Sequence, residues 1–326
     1  LEFIHSVLAQ DETAVAGSVV SYDLPVNPLS HILITLKFIR TTAAEANVPA
    51  FSRVLNLMDK IEVLYKGSAI FSMSGPDAVA AGLLVAGFES WGVNYSGVAV
   101  EECSFTFLVP MTRFLYSERE CFPRSTRGEL ILQITYEAAF TGMTDVQAQI
   151  ETVELPDAAP EQYLRMTTLS LTPAVAGEHD VELPIGNPIS ELVLFGTTIP
   201  VGAADAATLG FLQILVDNHR RFYSHTNFET VHNMAGRMRA APGYWGYHTH
   251  WAPIAGAADA IIDSVIAANH LLKQYVHVPF DIFRDGRYAL QTAGKSDVVL
   301  RIGVDVGGET ALRVIPCEIV SAARGI

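Results

Sequence analysis

The chain has 326 residues, half of them hydrophobic and only 17% charged, with a formal net charge of −14. That acidic balance, with no basic cluster to offset it, argues against direct grip on a nucleic-acid backbone; no run approaches the roughly 20 apolar residues of a membrane-spanning helix; and Cys103, Cys121 and Cys317 form neither a metal spacing nor a disulfide framework. The apolar surplus must be buried in large cores or in subunit interfaces.

Leu1 is not an initiator methionine, so an unseen leader, a processed end or a trimmed start is expected. Residues 1–9 are mildly apolar but lack a basic leader region, and they do not read as a signal peptide. Residues 32–38 and 61–65 are β-branched or aromatic runs bounded by Pro, Asn or Gly, which predicts strands. Residues 76–86 predict a helix with Pro76 at its first position. Leu130, Leu132, Ile134 and Tyr136 alternate with Glu129, Gln133 and Thr135, the period of a strand with one buried face. Residues 154–161 are polar and proline-bearing, and read as a linker. A second helix is expected over residues 257–273, and Val298, Leu300, Ile302, Val304 and Val306 form another alternating strand. Many short strands with Pro and Gly punctuation, and few helices, predict sandwiches or barrels.

Internal repetition organises these elements. Leu24-Pro25-Val26-Asn27-Pro28-Leu29-Ser30 recurs as Leu183-Pro184-Ile185-Gly186-Asn187-Pro188-Ile189-Ser190. Leu57-Met58-Asp59 leading to Leu64-Tyr65 recurs as Leu215-Val216-Asp217 leading to Phe222-Tyr223. Leu108-Val109-Pro110-Met111 recurs as His277-Val278-Pro279-Phe280, and Phe140-Thr141-Gly142 as Val306-Gly307-Gly308. The offsets are 159–160, 158, 169 and 166 residues, in one order along the chain. They predict a duplicated domain, with a first barrel over residues 1–155 and a second over residues 156–326.

With this repeat, the stretch from Asn56 to Gly67 and the following Ser74-Gly75-Pro76-Asp77 resemble the double jelly-roll major capsid proteins of icosahedral viruses, the lineage of the adenovirus hexon. The resemblance covers essentially the whole chain. It implies an all-β fold of two tandem eight-stranded jelly-roll β-barrels with a few short helices in loops. It also implies a structural role without enzymatic activity: three chains form a pseudo-hexagonal capsomer, the capsomers tile a shell, and an internal lipid membrane often lies beneath. The partners expected are further copies of the chain, minor capsid proteins and such a membrane. The location expected is the virion, assembled in the host cytoplasm. The family has no common ligand-binding motif, so no catalytic, cofactor or metal residue is carried over.

His248 and His250, within the aromatic run from Tyr244 to Trp251, would share one face of a strand, as a metal pair does in cupins. A tandem cupin is therefore the alternative reading. Against it, residues 252–258 supply no carboxylate, Asp259 comes late, and the first half has no His-x-His. Matched landmarks place this run in the longer second half, so a loop at the outer end of the barrel is expected, anchored by Trp245 and Trp251. His219, His225 and His232, with Asp217 and Glu229, match no metal spacing and read as a solvated loop. Glu101 and Glu102 are adjacent on a strand, so they face opposite sides and cannot share a substrate. Asp281, Asp285 and Gly286 lack the remaining ligands of a calcium loop and read as a turn. Gly307-Gly308 reads as a hairpin turn.

Overall fold

The computed structural model describes residues 2–40, 54–88, 90–93, 102–198, 207–228, 230–231, 274–305, 307–308 and 311–322. The chain divides into two compact units, Leu1–Thr167 with Val320–Ile326, and Thr168–Ile319.

In the first unit the strands are β1 (Ile4–Thr13), β2 (Val19–Asp23), β3 (Leu29–Arg40), β4 (Met58–Tyr65), β5 (Ser68–Met73), β6 (Trp91–Val93), β7 (Glu102–Pro110), β8 (Leu130–Tyr136), β9 (Met143–Glu154) and β10 (Gln162–Thr167). A helix, α1 (Gly75–Ala86), lies between β5 and β6. One sheet has the order β1-β9-β3-β7-β6, and the other runs β5-β4-β8-β2 with β10 added in parallel on β5. Let the eight strands β1–β5 and β7–β9 be lettered B to I. The pairings are then B-I-D-G and C-H-E-F, the Greek-key pattern of a jelly roll; β6 is an extra strand beside β7.

The second unit repeats the pattern. Its strands are β11 (Leu169–Leu171), β12 (Gly177–Glu182), β13 (Ile189–Gly196), β14 (Phe211–Val216), β15 (His219–Asn227), β16 (Tyr275–Pro279), β17 (Val298–Val304) and β18 (Leu312–Ser321). They pair β11-β18-β13-β16 and β12-β17-β14-β15, which is again B-I-D-G and C-H-E-F.

Alternation in the sequence becomes burial in the sheets. Along β8 buried and half-buried residues alternate strictly, and Leu130, Leu132, Ile134 and Tyr136 are the buried set. Ile32, Ile34, Leu36 and Phe38 of β3 face the same interior from the opposite sheet. In the second unit Leu192, Leu194, Ile214, Val278, Leu300, Ile302 and Val314 belong to one buried cluster. Each such side chain contributes roughly 1.5–3 kcal/mol of transfer free energy.

Helix α1 begins where Ser74 Oγ accepts from the Asp77 amide at 3.4 Å, with Pro76 in its first turn. It ends at Gly87, whose φ of 72° lets its N–H and that of Phe88 close on the Leu83 and Gly82 carbonyls. The expected helix over residues 257–273 lies outside the described residues.

Three of the four sequence landmarks fall on equivalent elements. Leu24 and Leu183 both precede strand D, and their amides donate to Leu130 and Val298, the first residue of strand H in each unit. Pro110 and Pro279 both end strand G, opposite His31 and Glu191. Gly142 and Gly308, both at positive φ, precede strand I. The second landmark does not hold. Asp59 and Tyr65 lie on β4, whereas Asp217 is in the turn after β14 and Tyr223 is on β15. The true equivalents are the two-residue turns Lys66-Gly67 and Asp217-Asn218, all four residues with positive φ, as a type I′ hairpin requires. Glu154 also departs from expectation. It is not part of a solvated linker but the buried last residue of β9.

Candidate assembly surface

At one end of each unit, three connections lock together through the same main-chain bonds. In the first unit Leu29 and Phe122 exchange both N–H···O bonds at 2.9 Å, joining the β2–β3 and β7–β8 connections, and Lys66 N–H donates to Glu129 O. In the second unit Ile189 and Leu290 exchange both bonds, and Asp217 N–H donates to Asp297 O. The side chains repeat the arrangement. Asn27 Nδ2 donates to Glu154 Oε2 at 2.9 Å, and Asn187 Nδ2 donates to Glu318 Oε2 at 3.0 Å. Gly186, with a φ of 123°, is the extra residue of the second loop, and its amide donates to Thr292 Oγ1.

These hydrogen-bonded connections hold apolar side chains outward. Val26, Phe114 and Tyr116 are exposed in the first unit. Ile185, Phe222, Ile282, Phe283 and Tyr288 are exposed in the second, Phe283 at 68%. Phe222 sits at a bulge in β15 with a φ of 54° and packs on Phe280, while Tyr223 donates its hydroxyl to Pro279 O. Burial pushes the Tyr223 hydroxyl up to about 12. Exposed aromatic and aliphatic side chains on an ordered backbone are the makings of a contact surface, because little conformational entropy is lost when they are covered.

Beneath the surface each unit carries a buried polar pair. In the first, the Arg113 guanidinium lies across the Glu120 carboxylate at 2.7–3.1 Å, and Gln162 Nε2 also donates to Glu120. In the second, Glu191 and His277 meet at 2.5 Å, both about 1% exposed. Glu191 occupies the position of His31 in the first unit, where the ring is buried and contacts Tyr116 edge-to-face at 5.3 Å. Burial, and then the charge of His5, lower the His31 ring to about 4. Neither pair was legible in the sequence. Arg113–Glu120 is a loop contact, and Glu191 and His277 are brought together only by strand pairing.

The residues singled out in the sequence fall as follows. His219 and His225 lie on β15, an exposed edge strand rather than a loop, and His225 stacks on Phe211. Asp217 caps the β14–β15 turn: the amide and hydroxyl of Ser296 donate to it and hold its carboxyl down to about 2. Asp281 accepts from the Gly286 amide and Asp285 from that of Arg287, which makes the suspected calcium loop a turn. Gly308 donates to Pro173 and Ala174 in the connection between β17 and β18. Glu102 begins β7. Glu101, Glu229, His232 and the whole run from Tyr244 to Trp251, with His248 and His250, lie outside the described residues, as does Asp259. Among the described residues no group of three or more His, Cys, Asp or Glu is placed to hold a metal.

No protein-family model matches the chain, and no curated protein sequence matches it. Solved structures do. The major capsid protein of Sulfolobus turreted icosahedral virus is similar over 98% of this chain and 97% of its own, at 11% identity and a TM-score of 0.68. The major capsid protein P2 of bacteriophage PM2 is similar over 98% of both chains, at 10% identity and a TM-score of 0.59. The capsid of the virus PBCV-1 contains a chain similar over 98% of this one and 94% of its own, at 11% identity and a TM-score of 0.58. At such identities the likeness is one of fold, and the fold is the double jelly roll of these capsid proteins.

Proposed function

We propose that this chain is a viral major capsid protein: a structural subunit, not an enzyme, of which three copies form a pseudo-hexagonal capsomer of an icosahedral shell. One observation carries the reading. The chain holds two jelly rolls with the same pairing order, and each presents exposed apolar side chains from the same locked connections. Two like barrels per chain place six in a trimer, so one protein approximates six-fold symmetry and tiles flat facets. An apolar surface of this kind on both units supports burial against neighbours. Similarity of fold to viral capsid proteins over nearly the whole chain supports the same role.

On this reading the first barrel spans residues 1–155 and the second residues 156–326. The partners are further copies of the chain, minor capsid proteins and an internal membrane. The location is the virion, assembled in the host cytoplasm. The net charge of −14 supports a protein that does not itself grip nucleic acid. None of the structural neighbours named above is a cupin, and the tandem-cupin reading has no support. Electron microscopy of the purified chain tests the proposal. Triangular or pseudo-hexagonal particles are expected, whereas a stable monomer at micromolar concentration would overturn it.

A further inference from the structure

The connection between β7 and β8 folds back over the outer face of its sheet, and one side chain fixes it there. Tyr116 has a φ of 63°, a left-handed conformation costly for a residue with a side chain. Its backbone N–H donates to Ser30 Oγ at 3.0 Å, and its ring meets His31 and Phe3 edge-to-face, each at 5.3 Å. Ser30 Oγ also lies 2.9 Å from His31 Nδ1.

Ser30 Oγ accepts from the Tyr116 amide, so its own hydrogen is free to be donated to His31 Nδ1. When that hydrogen is donated there, the ring nitrogen accepts, and the neutral ring carries its proton on Nε2. Protonating Nδ1 turns that acceptor into a donor. Ser30 Oγ would then receive two hydrogens and lose the partner for its own, with a charge placed at a site only 2% exposed.

We propose that Ser30, His31 and Tyr116 form an acid-operated latch, which holds the β7–β8 connection in place at neutral pH and releases it when His31 is protonated. The groups facing the ring oppose that charge. On β1, His5 lies opposite Val153, which in turn lies opposite His31, and His5 is engaged at 2.5 Å with Glu151 of β9. From β7 the facing residue is Pro110, and from the connection itself it is Tyr116. Of the connection's own charged groups, Arg113 and Glu120 bind each other, and Glu118 stands exposed to solvent. The lowered His31 pKa agrees with this geometry. Release would free Phe114 and Tyr116, so the latch would make the contact surface pH-dependent. That consequence rests on the assembly reading; the latch itself does not.

Hydrogen–deuterium exchange of the full chain, corrected for intrinsic pH dependence, tests it on the peptide covering residues 112–120. Protection is expected to fall about tenfold for each pH unit between the ordinary histidine value of 6.5 and the His31 midpoint of about 4, and to level off below it, while β8 stays protected. His31→Asn, which keeps an acceptor near Nδ1 but cannot titrate, should abolish the pH dependence. Unchanged protection between pH 7 and pH 3.5, or the same loss in the variant, would overturn the latch. Should the variant not fold, nitrogen NMR of the His31 ring in the wild type replaces it. Loop protection must then level off at the ring's own midpoint, and levelling at a different pH would overturn the proposal. Particle formation at pH 7 is a separate readout that tests the assembly reading alone.

Discussion

Asn27 and Asn187 perform the same task in the two units: each spans from the connection before strand D to a buried glutamate in strand I, Glu154 in one case and Glu318 in the other. A hydrogen bond to a carboxylate with little access to water is among the stronger ones. Asn27→Ala and Asn187→Ala should therefore each destabilise the protein by about 1–2 kcal/mol, measured by urea unfolding. The two losses should add, since the bonds share no partner.

Glu120 should be far less tolerant. Its carboxylate receives the Arg113 side chain, the Arg113 backbone amide and Gln162. Glu120→Ala leaves a guanidinium that is 1% exposed without its counter-charge, at a cost of roughly 3–5 kcal/mol. Replacing both residues with Met and Leu should cost less than the single change, because no charge is then stranded. A double-mutant cycle in urea checks both the size and the order.

Gly82 decides between two opposed effects. Alanine is the better helix former by about 1 kcal/mol. However, a Cβ there would come within 2.7 Å of the Leu108 carbonyl oxygen on β7, and backbone cannot swing aside. Overpacking should win, so Gly82→Ala is expected to lower stability by about 1–3 kcal/mol. A rise in the thermal midpoint would contradict the packing of α1 on β7.

His31 gives stability a defined pH window. Its folded pKa, about 4, lies below the ordinary histidine value of 6.5. The unfolded chain therefore takes up a proton first as the pH falls. Stability is full above pH 6.5, declines between 6.5 and 4, and is flat in this respect below that. The loss should reach about 3 kcal/mol at 1.36 kcal/mol per pKa unit. His31→Asn should remove that part of the slope in urea titrations across the window.

What the residues disclosed follows from the physics of each element. The β8 alternation was readable because one sheet face is buried and the other is not, and period two admits no other reading. Leu24-Pro25 and Leu183-Pro184 were readable because their amides must meet strand H at fixed places. The pairing of Asp59 with Asp217 failed because equal spacing of like residues is no guide to which side of a turn they occupy. Gly67 and Asn218, both suited to positive φ, were the better signal. His31 and the Glu191–His277 pair were illegible, since what buries them comes from distant strands and a loop rather than from their neighbours in sequence.

His248 and His250 lie outside the described residues, yet they yield a firm expectation. Changing both to Ala should leave folding intact and remove no bound metal. Loss of a stoichiometric transition metal, read by mass spectrometry on dialysed protein, would revive the tandem-cupin alternative.

The decisive observation is the mass of the purified chain in solution. Sedimentation at micromolar concentration should give a species of about three times the 35.4 kDa of one chain, with pseudo-hexagonal outlines in electron micrographs of the same sample. A single 35.4 kDa species that persists as the concentration rises would contradict the capsomer.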